Sequence, residues 1–398
     1  MKNLKFPENF IWGTAISAYQ TEGNNKNTDW WAWEQETFKT PGKKKYPLEK
    51  SGIACDFYNK YEEDFDLCKK LNNNAVRLSV EWARIEPQEG IWDKREIEHY
   101  KKVLRSAQNK GLKTFVTLHH FTNPLWFSKK GGWQNPKSAK YFERYAKKCA
   151  EEFGEWMNVV LTINEPQTLA LMAYVRGIWP PQKKSFLKAI LVQINFIRAH
   201  RKGYKAIKNV VEDLPMGIVK DIVWFEAHPE KGNLIGNLVA KVLTFGGCDF
   251  FLRPLKGYMD LIGVNYYFTE WLEGFKLKNL DGRVSDLGWR ICPKGLEKVL
   301  LNLQKYNLPI YVTENGLADE KDSLREGFLR DMLEACSHAL EKGVSLKGYF
   351  YWSLLDNFEW HEGYWPKFGL VEVDRENGLE RIPRSSFDFY AKVCGGKR

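Results

Sequence analysis

The chain has 398 residues, with 60 Lys and Arg against 50 Asp and Glu, a net charge of +10 and a pI near 9.0. Such a balance suits nucleic acid only where basic residues cluster among aromatics. Here most fall as doublets, Lys69-Lys70, Lys101-Lys102 and Lys147-Lys148, on amphipathic stretches that read as solvated helix faces, so no nucleic-acid partner is expected.

Two basic runs stand apart, Lys43-Lys44-Lys45 and Lys183-Lys184, both in Pro- or Gly-bounded loops. The seven cysteines show no C-x-x-C pair and no metal-ligand spacing, which reads as small buried hydrophobes in a reducing compartment. Residues 1–7 lack the apolar core of a secretory signal, and no stretch approaches ~18 consecutive apolar residues. A cytoplasmic protein with no membrane contact is expected. No linker, low-complexity tract or internal repeat divides the chain, so residues 1–398 are expected to form a single domain.

Short apolar, β-branched runs alternate with longer helical patterns, the rhythm of βα units. Strands are predicted over 10–14, 75–80, 114–119, 159–163, 216–220, 261–264, 310–313 and 348–352. Between them, 56–71 carries Phe57, Tyr61, Phe65 and Cys68 at helical spacing, and 138–153 carries Tyr141, Tyr145 and Cys149. Eight strands with helical crossovers predict an α/β fold, a closed (β/α)8 TIM barrel with its active site at the carboxyl ends of the strands.

Those ends are where polar residues gather. Gln20 follows the first strand, Arg77 lies in the second, His119-His120 end the third and Asn164-Glu165 the fourth. Asn265-Tyr266-Tyr267 follow the sixth, Glu314-Asn315 the seventh, and Trp352 ends the eighth. Glu165 and Glu314 each close a buried apolar run, so both would stand on the catalytic face. Two facing carboxyl groups are the equipment for cleaving a glycosidic bond, one protonating the leaving oxygen while the other attacks or activates water.

Longer strings sharpen this reading: Phe10-Ile11-Trp12-Gly13-Thr14-Ala15, Arg77-Leu78-Ser79-Val80-Glu81-Trp82, Thr162-Ile163-Asn164-Glu165-Pro166, Gly263-Val264-Asn265-Tyr266-Tyr267, Tyr311-Val312-Thr313-Glu314-Asn315-Gly316, and 351–360 running on to Gly363-Tyr364 and Phe368-Gly369-Leu370. In order, spacing and identity the chain resembles glycoside hydrolase family 1, the β-glucosidase and β-galactosidase family, over nearly its full length. The resemblance implies a retaining β-glycosidase with Glu165 as acid/base and Glu314 as nucleophile.

It further implies that Gln20, His120, Asn164, Glu359 and Trp360 contact the non-reducing sugar over a floor made by Trp352. Asn265 and Tyr267 would flank the nucleophile, Arg77 would lie beneath it, and Phe368 would form an apolar rim. Arg77 and Tyr267 would favour the charged form of Glu314, whose charge in turn would hold Glu165 protonated. Glu359 is expected to be a charged acceptor for the 4- and 6-hydroxyls. The partner is a small β-glycoside or oligosaccharide, and no metal or organic cofactor is called for.

Core packing accounts for most of Trp12, Trp82, Trp92, Trp133 and Trp156, whereas Trp30, Trp31 and Trp33 are expected to border the leaving-group side. Alternation along a strand turns one of His119 and His120 into the barrel, and the resemblance favours His120. Three features depart from the family's common pattern: Phe121 stands where a Trp is frequent, Glu81 adds a third carboxylate, and the chain is shorter than many relatives after Gly177-Ile178-Trp179-Pro180-Pro181, so trimmed loops are expected at the leaving-group site.

Overall fold

The computed structural model describes residues 4–39, 47–278 and 282–396, so the Lys43-Lys44-Lys45 run lies outside the described residues. Eight parallel strands close into a barrel in chain order: β1 (Ile11–Ala15), β2 (Ala75–Ser79), β3 (Lys113–His119), β4 (Val159–Asn164), β5 (Met216–Asp221), β6 (Leu261–Asn265), β7 (Ile310–Asn315) and β8 (Leu346–Trp352), with β1 pairing β8. Nearly every strand residue is buried, as expected of a sheet covered on both faces, which is why each strand reads as a continuous apolar run.

One principal helix follows each strand: α1 (Phe57–Lys70), α2 (Lys94–Asn109), α3 (Ser138–Phe153), α4 (Phe186–Lys208), α5 (Leu234–Thr244), α6 (Pro293–Leu303), α7 (Arg325–Glu341) and α8 (Ser385–Cys394). Side-chain caps start several of them. Asp93 accepts from the Arg95 and Glu96 amides at the start of α2, and Ser185 accepts from the Lys188 amide at the start of α4.

Two apolar cores result. The larger lies between strands and helices, and the smaller fills the barrel itself with Ile11, Phe115, Leu161, Val219, Leu261 and Phe350. The Phe115 ring meets Phe350 at 4.7 Å and Tyr311 at 5.2 Å. Gly13 is needed beside them, because a Cβ there would stand 2.5 Å from the Phe350 ring. With the interior plugged by aromatics, polar side chains find room only at the carboxyl ends of the strands.

Two of those ends are irregular. The ladder slips between Leu161 and Asn164 where β4 meets β5, and between Val312 and Glu314 where β7 meets β6. Bulges of this kind re-aim the side chains that follow them, and here they precede the two glutamates.

One segment departs from expectation. Leu234–Leu255 is a continuous helical run of 22 residues with a mean hydropathy of 1.3, long and apolar enough by length and composition to cross a membrane, yet only 28% of that window is buried. Its isolated polar residues, Asn237 and Lys241, break any consecutive apolar count without removing its apolar character.

Candidate active site

The carboxyl ends of the strands surround a cavity of about 370 Å³, at the small end of the ~300–1,000 Å³ typical of small-molecule clefts. Of the residues singled out in the sequence, Gln20, His120, Asn164, Glu165, Tyr267, Glu314, Trp352, Glu359, Trp360 and Phe368 all line it. Arg77 and Asn265 do not. Both are fully buried beneath it, and they tie the two glutamates together.

Arg77 donates to Glu314 Oε1 through one guanidinium nitrogen and to Asn164 Oδ1 at 2.7 Å through the other. Its Nε reaches Thr117 Oγ1 at 3.3 Å, so the fork is oriented from the barrel interior. The Tyr267 hydroxyl donates to the second oxygen of Glu314 at 2.7 Å. Charge-assisted bonds of this kind hold a buried carboxylate in one orientation.

Asn265 behaves differently from expectation. It pairs in register with Glu314, yet its Nδ2 donates to Glu165 Oε1 at 2.6 Å and to Asn164 Oδ1 at 3.2 Å, while its Oδ1 accepts from Thr313. It therefore flanks Glu314 in the ladder while its side-chain amide serves Glu165 and Asn164. Glu165 itself has a left-handed backbone (φ 43°), with Pro166 at the first position of the short helix that follows. This conformation costs a non-glycine residue about 1 kcal/mol and is of the kind that concentrates at functional sites. Burial pushes the Glu165 carboxyl well above its ordinary range, and the charges of Asp221 and Glu314 push it further.

A third acid accompanies the pair. Asp221, at the end of β5, lines the cavity, accepts from Thr168 Oγ1 at 3.2 Å and is pushed up to about 6, chiefly by burial. The sequence reading passed over it, although it directly follows the predicted fifth strand and the strand-end rule points to it. Its neighbour Lys220 is fully buried, bonds Gln167 and is lowered to about 8 by burial.

The opposite wall is polar and aromatic. Ser17 donates to Gln20 Oε1 at 2.6 Å, and Gln20 Nε2 reaches Asn357 Oδ1 at 3.0 Å and Glu359 Oε2 at 3.3 Å. The Glu359 carboxyl is pushed up to about 8 by burial and by the charges of Glu314 and Glu362. The site thus disfavours the charged form of Glu359. A protonated carboxyl still donates one hydrogen bond and accepts others.

His120 stacks on Trp352 (6.1 Å, 18°) and Trp360 (5.9 Å, 13°), is held neutral by burial, and accepts from Asn164 Nδ2 at 3.3 Å. His119 points away, bonding Asn123 and packing on Trp133.

Trp30 is fully buried behind Trp360 and does not reach the cavity, and neither Trp31 nor Trp33 lines it. The mouth is instead bordered by Trp179 and Trp289, which the sequence reading did not single out, and by the apolar Leu171, Met172 and Leu287. Phe121 packs on Trp179 and Trp360 at 4.9 and 5.0 Å. Glu81 faces elsewhere: it caps a short helix through the Ala83 amide and accepts from Thr122. Five cysteines are buried, none of the seven is in a disulfide, and no cluster of metal-ligating side chains occurs among the described residues.

The family model for glycosyl hydrolase family 1 matches residues 2–235 and 240–398. The chain is 32% identical to the 1,4-beta-D-glucan glucohydrolase of Thermotoga neapolitana, covering 98% of each, and 31% identical to the beta-galactosidase of Pyrococcus woesei, covering 95% of this chain and 94% of that one. Among solved structures, the beta-glycosidase from Pyrococcus horikoshii matches with a TM-score of 0.91 at 34% identity, covering 99% of this chain and 96% of that one.

Proposed function

The chain belongs to glycosyl hydrolase family 1, and from that premise we propose a retaining β-glycosidase. It is a glycoside hydrolase, and in this reading it removes terminal β-D-glucosyl or β-D-galactosyl residues from the non-reducing end of small β-glycosides or oligosaccharides. Residues 1–398 act as one catalytic domain, in a reducing, cytoplasmic setting that suits seven cysteines outside any disulfide.

The observation that carries the reading is the contrast between two carboxyl groups on one cavity. Glu314 receives hydrogen bonds on both oxygens, from Arg77 and Tyr267, and is thereby suited to attack as an oriented carboxylate. Burial and neighbouring negative charge favour the protonated form of Glu165, as a general acid requires. In the first step Glu314 displaces the leaving group from the anomeric carbon while Glu165 gives it a proton. The glycosyl ester no longer carries the Glu314 charge, so Glu165 becomes more acidic and accepts the proton of the incoming water in the second step.

Asn164, gripped by Arg77 and Asn265, is oriented to bond the 2-hydroxyl as charge develops at the ring. Gln20, His120, Glu359 and Trp360 form the glycon wall, Trp352 gives the ring a face to stack on, and Phe368 closes the rim. The proposed steps require no metal or organic cofactor.

The test is a 2-deoxy-2-fluoro-β-glucoside with a dinitrophenyl leaving group, which slows hydrolysis of the glycosyl-enzyme. Peptide mapping should find the sugar on Glu314, and proton NMR of ordinary turnover should show the β-anomer forming first. An α-anomer formed first would establish inversion, and a label on another residue would remove Glu314 from the nucleophile role.

A further inference from the structure

Helix α5 is built inside out. Its buried face is made of Gly236 and Ala240, and a Cβ at Gly236 would stand 3.0 Å from the Leu272 carbonyl oxygen, so only a small residue lets the helix sit on the strand below. Its large apolar side chains face solvent. Leu234, Leu238 and Val242 recur every four residues along one stripe and are 87%, 64% and 60% exposed, with Ile235 beside them at 49%. The hairpin of Thr269–Glu273 and Lys276–Leu277 continues the surface. Gly236 also lies close to Gly274 at its turn, and there Phe275 and Leu277 are 79% and 58% exposed.

An apolar stripe this exposed, on a helical run of mean hydropathy 1.3, is unlike the amphipathic crossover helices α2 and α3, whose apolar residues face the barrel. Its surroundings select the occupant. Lys231, Lys241 and Lys276 are exposed on α5 and the segments beside it, and none forms an ion pair among the described residues. Of the acids nearby, Glu273 and Glu226 are engaged by Lys278 and Lys298, so that Glu230 and Glu270 are left to offset the three lysines only in part. A second copy of the chain would set these lysines against one another, whereas anionic headgroups would neutralise them as the leucines enter the acyl boundary.

We propose that the face formed by α5 and the 269–277 hairpin docks on the surface of an anionic phospholipid bilayer, lying in the interface and not spanning it. The lysines reach the headgroup layer while the Leu234, Leu238 and Val242 stripe and Phe275 insert beside it. Sequence analysis anticipated no membrane contact, because neither a consecutive apolar count nor a signal pattern detects a stripe of this kind.

Co-sedimentation of the full chain with vesicles of phosphatidylglycerol and phosphatidylcholine, against phosphatidylcholine alone, tests this. Anionic vesicles should bind the protein about tenfold better than neutral ones, and added salt should weaken binding. The triple variant Leu234→Gln, Leu238→Gln, Val242→Gln should lose binding by about tenfold or more, and Lys231→Glu with Lys241→Glu should erase the preference for anionic lipid. Both variants should keep wild-type hydrolysis of a soluble aryl glycoside, which verifies their folding. A wild type that stays in the supernatant with both vesicle types, or a triple variant that sediments like wild type, overturns the proposal. A wild-type dimer that the triple variant dissolves, without vesicle binding, assigns the face to a second copy instead.

Discussion

The surroundings of Glu314 and Glu165 differ in what they offer a negative charge. Around Glu314 stand a guanidinium and a phenol, both donating to its carboxylate. Around Glu165 stand one amide donor, burial and a second acid, Asp221. Identical side chains at strand ends of one barrel are thus prepared differently by their neighbours: two donors orient the Glu314 carboxylate, while burial and nearby charge raise the proton affinity of Glu165. Under the proposed mechanism this difference separates the nucleophile from the acid.

The largest expected effect breaks the comparison at its centre. Glu314→Gln should cost about 10⁴-fold or more in kcat on every β-glycoside, since no other group is placed to form the glycosyl ester. Glu165→Gln should cost about 10²–10⁴-fold on alkyl glycosides but far less in the first step with dinitrophenyl leaving groups, which need no proton. A glycosyl-enzyme should then accumulate and appear as a burst in stopped flow. Equal losses on both substrate classes would contradict the acid assignment.

Arg77→Met tests the Glu314 side through stability. Arg77 is fully buried, and its removal leaves a buried carboxylate without its cation, a change worth about 3–5 kcal/mol by urea unfolding. Glu314→Gln added to Arg77→Met should recover much of that loss, because the orphaned charge is then gone.

Tyr267→Phe should be milder, lowering kcat/KM by about 10–100-fold, since one of the two partners of Glu314 remains. Asp221→Asn addresses the other side. Its negative charge raises the proton affinity of Glu165, so its removal should lower it, and the alkaline limb of kcat/KM should move to lower pH. The groups that share this environment are Lys220, Thr168 and Glu314, and all are retained in the variant. An unmoved limb would mean that burial and the charge of Glu314 suffice without Asp221.

Much of this was legible in the chain because a doubly covered strand must be apolar on both faces. All eight predicted strands lie within two residues of those observed, the strand-end rule drew seven cavity-lining residues from six of the eight strands, and the family resemblance added Glu359, Trp360 and Phe368. Asp221 obeyed the same rule and was overlooked. Trp179 and Trp289 could not be found that way, since nothing in local periodicity says which loop folds over the mouth. Trp30 misled for the converse reason: it is adjacent in space to Trp360, but behind it.

By itself the sequence determined the parallel barrel, the family resemblance and the pair of glutamates at its catalytic end, because these depend on apolar periodicity and on short strings of neighbouring residues. Only the tertiary structure decided that Asn265 serves Glu165, that burial and neighbouring acids raise the proton affinity of Glu359, and that helix α5 turns its leucines to solvent. Those outcomes rest on register slips, burial and contacts between residues far apart in the chain, as Arg77 and Glu314 are. Burial and near charges shift a carboxyl group far more than its chain neighbours do.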